Sequence, residues 1–259
     1  MKRLLVLLAM LVVVCLGVSA KQHQQDVQYN IIYIGNSITY GALHANRDKT
    51  APPVVATARV SKMIKQPCAF SNCGRSGATT VDFLPSMNRD FKRVEKAIAN
   101  HKEDGGADNE KFIFSIMLGT NDSASTGPTG APVSNEDYKK NLLAIIGRCR
   151  ELCPNAIFVL QRPVWYSPNT YNGARYLVAG LNRVTDYVNV LVEVANENKD
   201  VYIGDCDSYE LFKNKYTKYM FAEPGNAGTF YLHPNEAGVA KMANNWAKAI
   251  AEAVEASVQ

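Results

Sequence analysis

The sequence predicts an α/β protein whose five strands form a parallel sheet covered by helices on both faces. Two observations point there. Short apolar runs rich in β-branched and aromatic residues alternate with longer stretches of helical periodicity, the pattern of a covered parallel sheet. Three of the runs also end alike, in glycine and small hydrogen-bonding residues, at Gly35-Asn36-Ser37, Asn72-Cys73-Gly74 and Gly119-Thr120-Asn121. In open α/β sheets ligands bind beyond the carboxyl ends of the strands, so these ends mark one candidate crevice.

The first strand is Asn30 to Gly35, and Ser37 stands in the turn that follows it. Gly41 to Thr50 reads as loop. Pro52 and Pro53 suit the first turn of a helix running through Val54, Val55, Ala58, Val60 and Ile64. A short strand at Cys68 to Ser71 leads into the glycine-punctuated loop Asn72 to Thr80, and a helix is expected from Met87 to Asn100. The charged, glycine-bearing stretch His101 to Glu110 reads as a surface turn. Lys111 to Leu118 is the third strand, and Ser123 to Ser134, rich in Gly, Pro, Ser and Thr, is a long loop facing substrate. A helix from Asn135 to Leu152 and a strand from Ala156 to Leu160 follow, then an aromatic-bearing loop from Arg162 to Gly173. Leu177, Leu181, Val184, Val188, Leu191 and Val194 share one face of the clearest helix, Arg175 to Asn198, and core packing is reason enough for that stripe. Val201 to Gly204 is the last strand. A loop to Leu232 precedes a final helix with Val239, Met242, Trp246, Ile250 and Val254 on one face. No repeat, low-complexity tract or linker interrupts this order, so residues 21–259 are expected to form one domain.

Residues 1–20 read as a signal peptide. Lys2 and Arg3 form a basic start, Leu4 to Val18 is an apolar run too short for a membrane anchor, and Val18-Ser19-Ala20 offers a cleavage site. A lipid-modified Cys15 is the less favoured alternative, because Val12-Val13-Val14 lacks the small residue such a signal needs. The protein is therefore expected to be exported, periplasmic or secreted, without stable membrane insertion. Losing Lys2 and Arg3 lowers the formal charge of the 259-residue chain from +4 to +2, which gives no reason to expect a nucleic-acid partner. Cys68, Cys73, Cys149, Cys153 and Cys206 remain, odd in number in a large chain, which argues against a disulfide framework, though one bridge is open to them in an oxidising compartment. Cys149 and Cys153 fit two half-buried residues one helical turn apart and are not spaced like a zinc site. No metal or cofactor motif is present, and nothing in the sequence assigns an oligomeric state.

Neighbouring carboxyl ends in a parallel sheet would bring Ser37, the Gly74 to Thr80 loop and Asn121 together. Acyl transfer needs a nucleophile with a base, and donors aimed where negative charge develops. Ser37 is the candidate nucleophile, and glycine-flanked amides and an asparagine side chain are suitable uncharged donors. The base follows by elimination among four histidines. His23 lies in the polar leader, His101 in a charged turn, and His44 close behind Ser37, where it is expected to line the entrance. His233 precedes Pro234 and Asn235 at the start of the last helix, a rigid mount for an imidazole.

These residues resemble the SGNH (GDSL) hydrolase superfamily. Gly35-Asn36-Ser37-Ile38-Thr39 is similar to its first block, with Asn in place of the usual Asp. Asn72-x-Gly74-x-x-Gly77-x-Thr79-Thr80 is similar to the second, Gly119-Thr120-Asn121-Asp122 to the third, and His233-Pro234-Asn235 to the histidine block. The resemblance implies a three-layer α/β/α, flavodoxin-like fold, with Ser37 as nucleophile and His233 as general base. It also implies an oxyanion hole made by the Ser37 amide, the Gly77 amide and the Asn121 side chain. One departure concerns the base. The family carries an aspartate three residues before the histidine, and here that position is Phe230. Either a main-chain carbonyl orients His233, giving a Ser-His dyad, or an acid such as Glu223 reaches in; the dyad is the favoured expectation.

The expected activity is hydrolysis of short acyl esters, acetyl first, on a small-molecule or glycan substrate. The carbohydrate part comes from the resemblance to exported sialate and polysaccharide acetylesterases. Trp165, Tyr166, Tyr171 and Tyr231 are either ordinary half-buried aromatics or platforms for sugar rings. A lipase or lysophospholipase is the alternative within the chemistry, and would want an apolar patch that Ser123 to Ser134 does not offer. A degenerate, glycan-binding protein is the alternative outside it, motivated by Phe230. Asn121-Asp122-Ser123 also matches a glycosylation sequon, which a crowded strand end argues against. Gly35-x-Ser37-x-Thr39 lacks the second glycine of the α/β-hydrolase elbow.

Overall fold

The computed structural model describes residues 27–104 and 110–258. The expected signal peptide, with Cys15, and the leader histidine His23 lie outside the described residues. Five strands, β1 (Gln28–Gly35), β2 (Cys68–Asn72), β3 (Glu110–Met117), β4 (Ile157–Leu160) and β5 (Val201–Ile203), form one sheet in the order β2-β1-β3-β4-β5. Every pairing is parallel, and the register sets Gly35 beside Met117 at the carboxyl ends of β1 and β3. This is the flavodoxin-like order, with its switch point between β1 and β3.

The helices are α1 (Ser37–Tyr40), α2 (Arg47–Thr50), α3 (Pro52–Ile64), α4 (Phe91–Asp104), α5 (Asn135–Leu152), α6 (Leu177–Glu197), α7 (Asp207–Tyr219) and α8 (Glu236–Ala256). They explain why the inner strands β1, β3 and β4 are apolar on both faces along most of their length. Ile31, Tyr33, Ile113 and Val159 face a layer made by α3, α7 and α8, where Trp246 stacks on Tyr33 with ring centroids 6.0 Å apart. Ile32, Ile34, Phe114 and Phe158 face the other layer, made by α4, α5 and α6. A strand buried on both faces cannot alternate apolar with polar residues. The stripe on α8 is buried at all five expected positions, whereas Gly180, Tyr187 and Val190 join the buried face of α6.

Several local expectations are corrected. The loop expected after β5 contains α7, whose outward residues from Lys213 to Lys218 hide its buried Tyr209, Phe212 and Tyr219, and which is kinked at Lys215. The loop Gly41 to Thr50 contains the single turn of α2, and α4 starts four residues later than expected, at Phe91 rather than Met87, because a short 3-10 turn takes Pro85–Met87. His101 therefore lies in the last turn of α4, with Nε2 3.0 Å from Ser71 Oγ, not in a surface turn. Cys149 and Cys153 are both buried, Cys153 caps the end of α5, and all five described cysteines are free thiols. No described helix is long and apolar enough to cross a membrane.

Candidate active site

Ser37 is the first residue of α1, directly beyond β1. Asn36 caps this turn, its side-chain oxygen accepting the Ile38 N–H at 3.0 Å, so asparagine does here what an aspartate at the same place would do. The chain turns sharply because Gly35 has no Cβ, which would collide with the Thr39 side chain. The Ser37 N–H, at the head of α1, makes no hydrogen bond among the described residues.

The loop after β2 runs alongside. Asn72 clasps it to the Ser37 turn, donating to Thr39 O at 3.0 Å and accepting from Gly74 N–H at 2.9 Å. Gly77 sits at φ 77, the left-handed region that favours glycine, inside a turn closed by Ala78 N–H on Arg75 O at 3.1 Å. Its own N–H is unbonded among the described residues. Arg75 anchors the loop through ion pairs to Asp82, at 2.7 Å, and Asp90.

Asn121 and Asp122 follow β3. Asp122 is buried, accepts from Thr80 N–H at 2.8 Å, the Thr80 hydroxyl and Gly119 N–H at 3.1 Å, and so fastens the second strand-end loop to the third. Burial pushes its carboxyl up to about 6 against the pull of those hydrogen bonds. Asn121 is buried too, with Nδ2 donating to Ala78 O at 2.8 Å and Oδ1 accepting from Tyr176 hydroxyl at 2.6 Å. An asparagine so enclosed is no place for a glycan chain.

His233 arrives from the far end of the sequence, with its Nε2 2.8 Å from Ser37 Oγ. Its Nδ1 lies 2.9 Å from both carboxylate oxygens of Glu223, and its backbone N–H donates to Glu223 Oε1 at 3.1 Å. The expected main-chain carbonyl is therefore replaced by a carboxylate. The reason is a hairpin. Met220 bridges Pro234 and Glu223 bridges Phe230, both antiparallel. Residues 221 and 222 thus oppose residues 231 to 233, an irregularity of the bulge kind that re-aims side chains. The carboxylate missing at Phe230 is supplied from the residue facing it. A proline and a glycine-bearing turn, Pro224-Gly225-Asn226-Ala227-Gly228, are the sequence signal for this fold-back.

The Ser37, Gly77, Asn121 and His233 side chains and amides meet at one open cavity of about 530 Å³. Its far wall comes from Gly127, Pro128 and Thr129 of the long loop, as expected, and from Asn172, Gly173 and Ala174. Of the four aromatics open to two readings, Trp165, Tyr166, Tyr171 and Tyr231, none lines this cavity. Trp165 and Tyr166 are buried in the core, Tyr166 with its hydroxyl 2.9 Å from Ser123 Oγ, and Tyr231 packs against Tyr216. His44 is not at the entrance either. It is buried as a brace, with Nε2 3.0 Å from Pro234 O and Nδ1 2.9 Å from Thr50 Oγ1. Tyr176, which lines the cavity, was not among the expected residues, and no local sequence signal marks it.

A family model described as the GDSL-like Lipase/Acylhydrolase family matches residues 33–241. Among solved structures, a lipase/acylhydrolase from Enterococcus faecalis aligns with a TM-score of 0.54 at 19% identity, covering 86% of this chain and 96% of that one. A member of the lipolytic protein G-D-S-L family from Veillonella parvula aligns at 0.53 and 18% identity, covering 84% and 95%. A variant of an acetyl xylan esterase from Geobacillus stearothermophilus aligns at 0.55 and 18% identity, covering 85% and 94%. At these identities the likeness is one of fold. No curated protein matches the sequence.

Proposed function

The chain belongs to the GDSL-like lipase/acylhydrolase family, and from that premise we propose that it is an exported serine esterase. Residues 21–259 would be its single catalytic domain, and the basic start, the apolar run and Val18-Ser19-Ala20 support export. One observation carries the reading. Ser37, His233 and Glu223 are linked at 2.8 and 2.9 Å, and Ser37, Gly77, Asn121 and His233 line one cavity.

In this reading Ser37 Oγ attacks the ester carbonyl while its proton passes to His233 Nε2. Glu223 holds the ring through Nδ1–H and offsets the positive charge it then carries. The carbonyl oxygen, now negative, is received by the Ser37 and Gly77 amides and Asn121 Nδ2. Collapse expels the alcohol, which takes the proton back from Nε2, and leaves the acyl group on Ser37. Water, deprotonated by the same ring, releases the acid and restores the serine.

The substrate we assign is a short acyl ester, acetyl first, on a hydroxylated alcohol such as a sugar. The cavity supports this: glycine, threonine and asparagine dominate its far wall, and Ala42, Pro128, Ala174 and Leu232 are too small an apolar lining for a long chain. The acetyl xylan esterase among the fold neighbours is consistent with it. The buried Trp165 and Tyr166 lend no support to sugar stacking, and the carboxylate of Glu223 favours catalysis over glycan binding alone. The test is turnover of p-nitrophenyl acetate and octanoate by the wild type and Ser37→Ala, followed by acetate release from acetylated xylan, acetylated sialic acid and a phospholipid side by side. Acetate turnover that vanishes in Ser37→Ala is expected. Equal, negligible turnover in both proteins would sink the enzyme reading, and preference for octanoate or phospholipid would favour a lipase.

A further inference from the structure

We propose that Tyr176 is a positioning residue of the oxyanion hole, fixing through its hydroxyl which way the Asn121 amide faces. This rests on Asn121 being an oxyanion donor, as proposed above. Of the three donors, two are backbone amides held by their turns, and Asn121 alone sits on rotatable bonds. The two ends of a carboxamide are alike in shape and opposite in chemistry. A flip would aim oxygen lone pairs at a developing negative charge.

The two partners of Asn121 remove that freedom. Ala78 O can only accept, so the group 2.8 Å from it is Nδ2. Oδ1 is then turned toward Tyr176, whose hydroxyl must donate across 2.6 Å. One Nδ2 hydrogen is used on Ala78, and the other is left for the cavity that Asn121 lines. A donor on Oδ1 also draws electron density from the amide nitrogen, which strengthens the remaining N–H as a donor.

Tyr176 is held for this task. It is buried, its ring lies edge-on to Tyr166 at 5.4 Å, and its backbone N–H donates to Thr170 O at 3.2 Å. The next residue, Leu177, adopts φ 54, a left-handed conformation that leucine rarely takes, as the chain swings from the cavity wall into α6. Burial pushes the phenol well above its ordinary ionisation range, so the hydroxyl stays a donor at working pH.

The experiment is a double-mutant cycle on kcat and KM for p-nitrophenyl acetate, with Tyr176→Phe, Asn121→Ala, the pair, and Ser37→Ala as reference. Tyr176→Phe should stay folded, with its thermal midpoint lowered by only a few degrees and its KM kept, while kcat falls about 10-fold, the worth of one such hydrogen bond. Asn121→Ala should lose about 10²-fold in kcat. On that background the further loss of the Tyr176 hydroxyl should change little. A Tyr176→Phe enzyme with wild-type kcat, a loss that persists undiminished without Asn121, or a Tyr176→Phe chain that does not fold would each overturn the proposal. Wild-type turnover by Ser37→Ala or Asn121→Ala would instead bring down the reading beneath it, and the two failures are read from different proteins.

Discussion

Glu223 faces Phe230 across an antiparallel bridge, and from there its carboxylate meets His233 Nδ1 at 2.9 Å. An acid three residues ahead of a histidine and an acid on the facing arm of a hairpin can thus reach the same ring atom. If Glu223 stabilises the imidazolium, Glu223→Gln should preserve the fold and KM but lower kcat for p-nitrophenyl acetate by about 10²–10⁴-fold. Steady-state kinetics check this. A loss under threefold would return the site to a Ser-His dyad.

The turn of that hairpin is tightly built. A Cβ on Gly225 would lie 2.6 Å from Phe230 Cδ1 and 2.8 Å from Tyr171 O. Gly225→Ala should therefore cost about 1–3 kcal/mol by overpacking, and shift Glu223 enough to depress kcat as well. Urea unfolding and kinetics on one preparation measure both. Wild-type values for both would mean that the turn yields freely.

Asp122 makes stability depend on pH in an identifiable window. Its carboxyl is pushed from 3.8 up to about 6 by burial, so the folded state holds the proton more tightly than the unfolded chain. The stability this provides is fully present below 3.8 and is lost as pH rises through 6, a swing of about 3 kcal/mol. Asp122→Asn cannot titrate. Its unfolding free energy should change less between pH 4 and 7 than that of the wild type, whatever its absolute value. Parallel pH profiles would rule the group out.

The cysteines should be inert. Burial pushes the Cys68 and Cys153 thiols up to about 11 and Cys73 up to about 12, so little thiolate forms at neutral pH. With all five described thiols unpaired, dithiothreitol should leave the thermal midpoint unchanged, and iodoacetamide should not inactivate the native enzyme. A downward shift in reductant would reveal a bridge formed on export.

Legibility in the sequence followed the range of the physics. Strands buried on both faces announce themselves as apolar runs, and α5 lies at its expected bounds, its start fixed in the structure by the Ser134 cap with Glu136 and Asp137 in the first turn. Helix α7 was hidden because Lys213 to Lys218 face water and only Tyr209, Phe212 and Tyr219 mark its buried side. The strand-end blocks brought Ser37, Gly77 and Asn121 to one crevice, since a parallel sheet leaves neighbouring ends nowhere else to go. The sequence favours a main-chain carbonyl over Glu223 beside His233, and only the fold-back of residues 220–234 reverses that order. Tyr176 was invisible, because its partner lies 55 positions away and nothing local prepares for the meeting.

Ser37 and His233 are separated by 196 positions, one beside the first strand and the other just before the last helix. His44, reaching from behind the serine to Pro234 O, pins these two distant segments together, and α8 lies against α3 beside them. The consequence is one of timing. On the function proposed above, a chain still emerging or still unfolded has a serine but no base to activate it, and hydrolysis would begin only when the final segment docks. Recovery of activity during refolding should therefore trail the recovery of helical signal, and coincide with closure of the whole molecule.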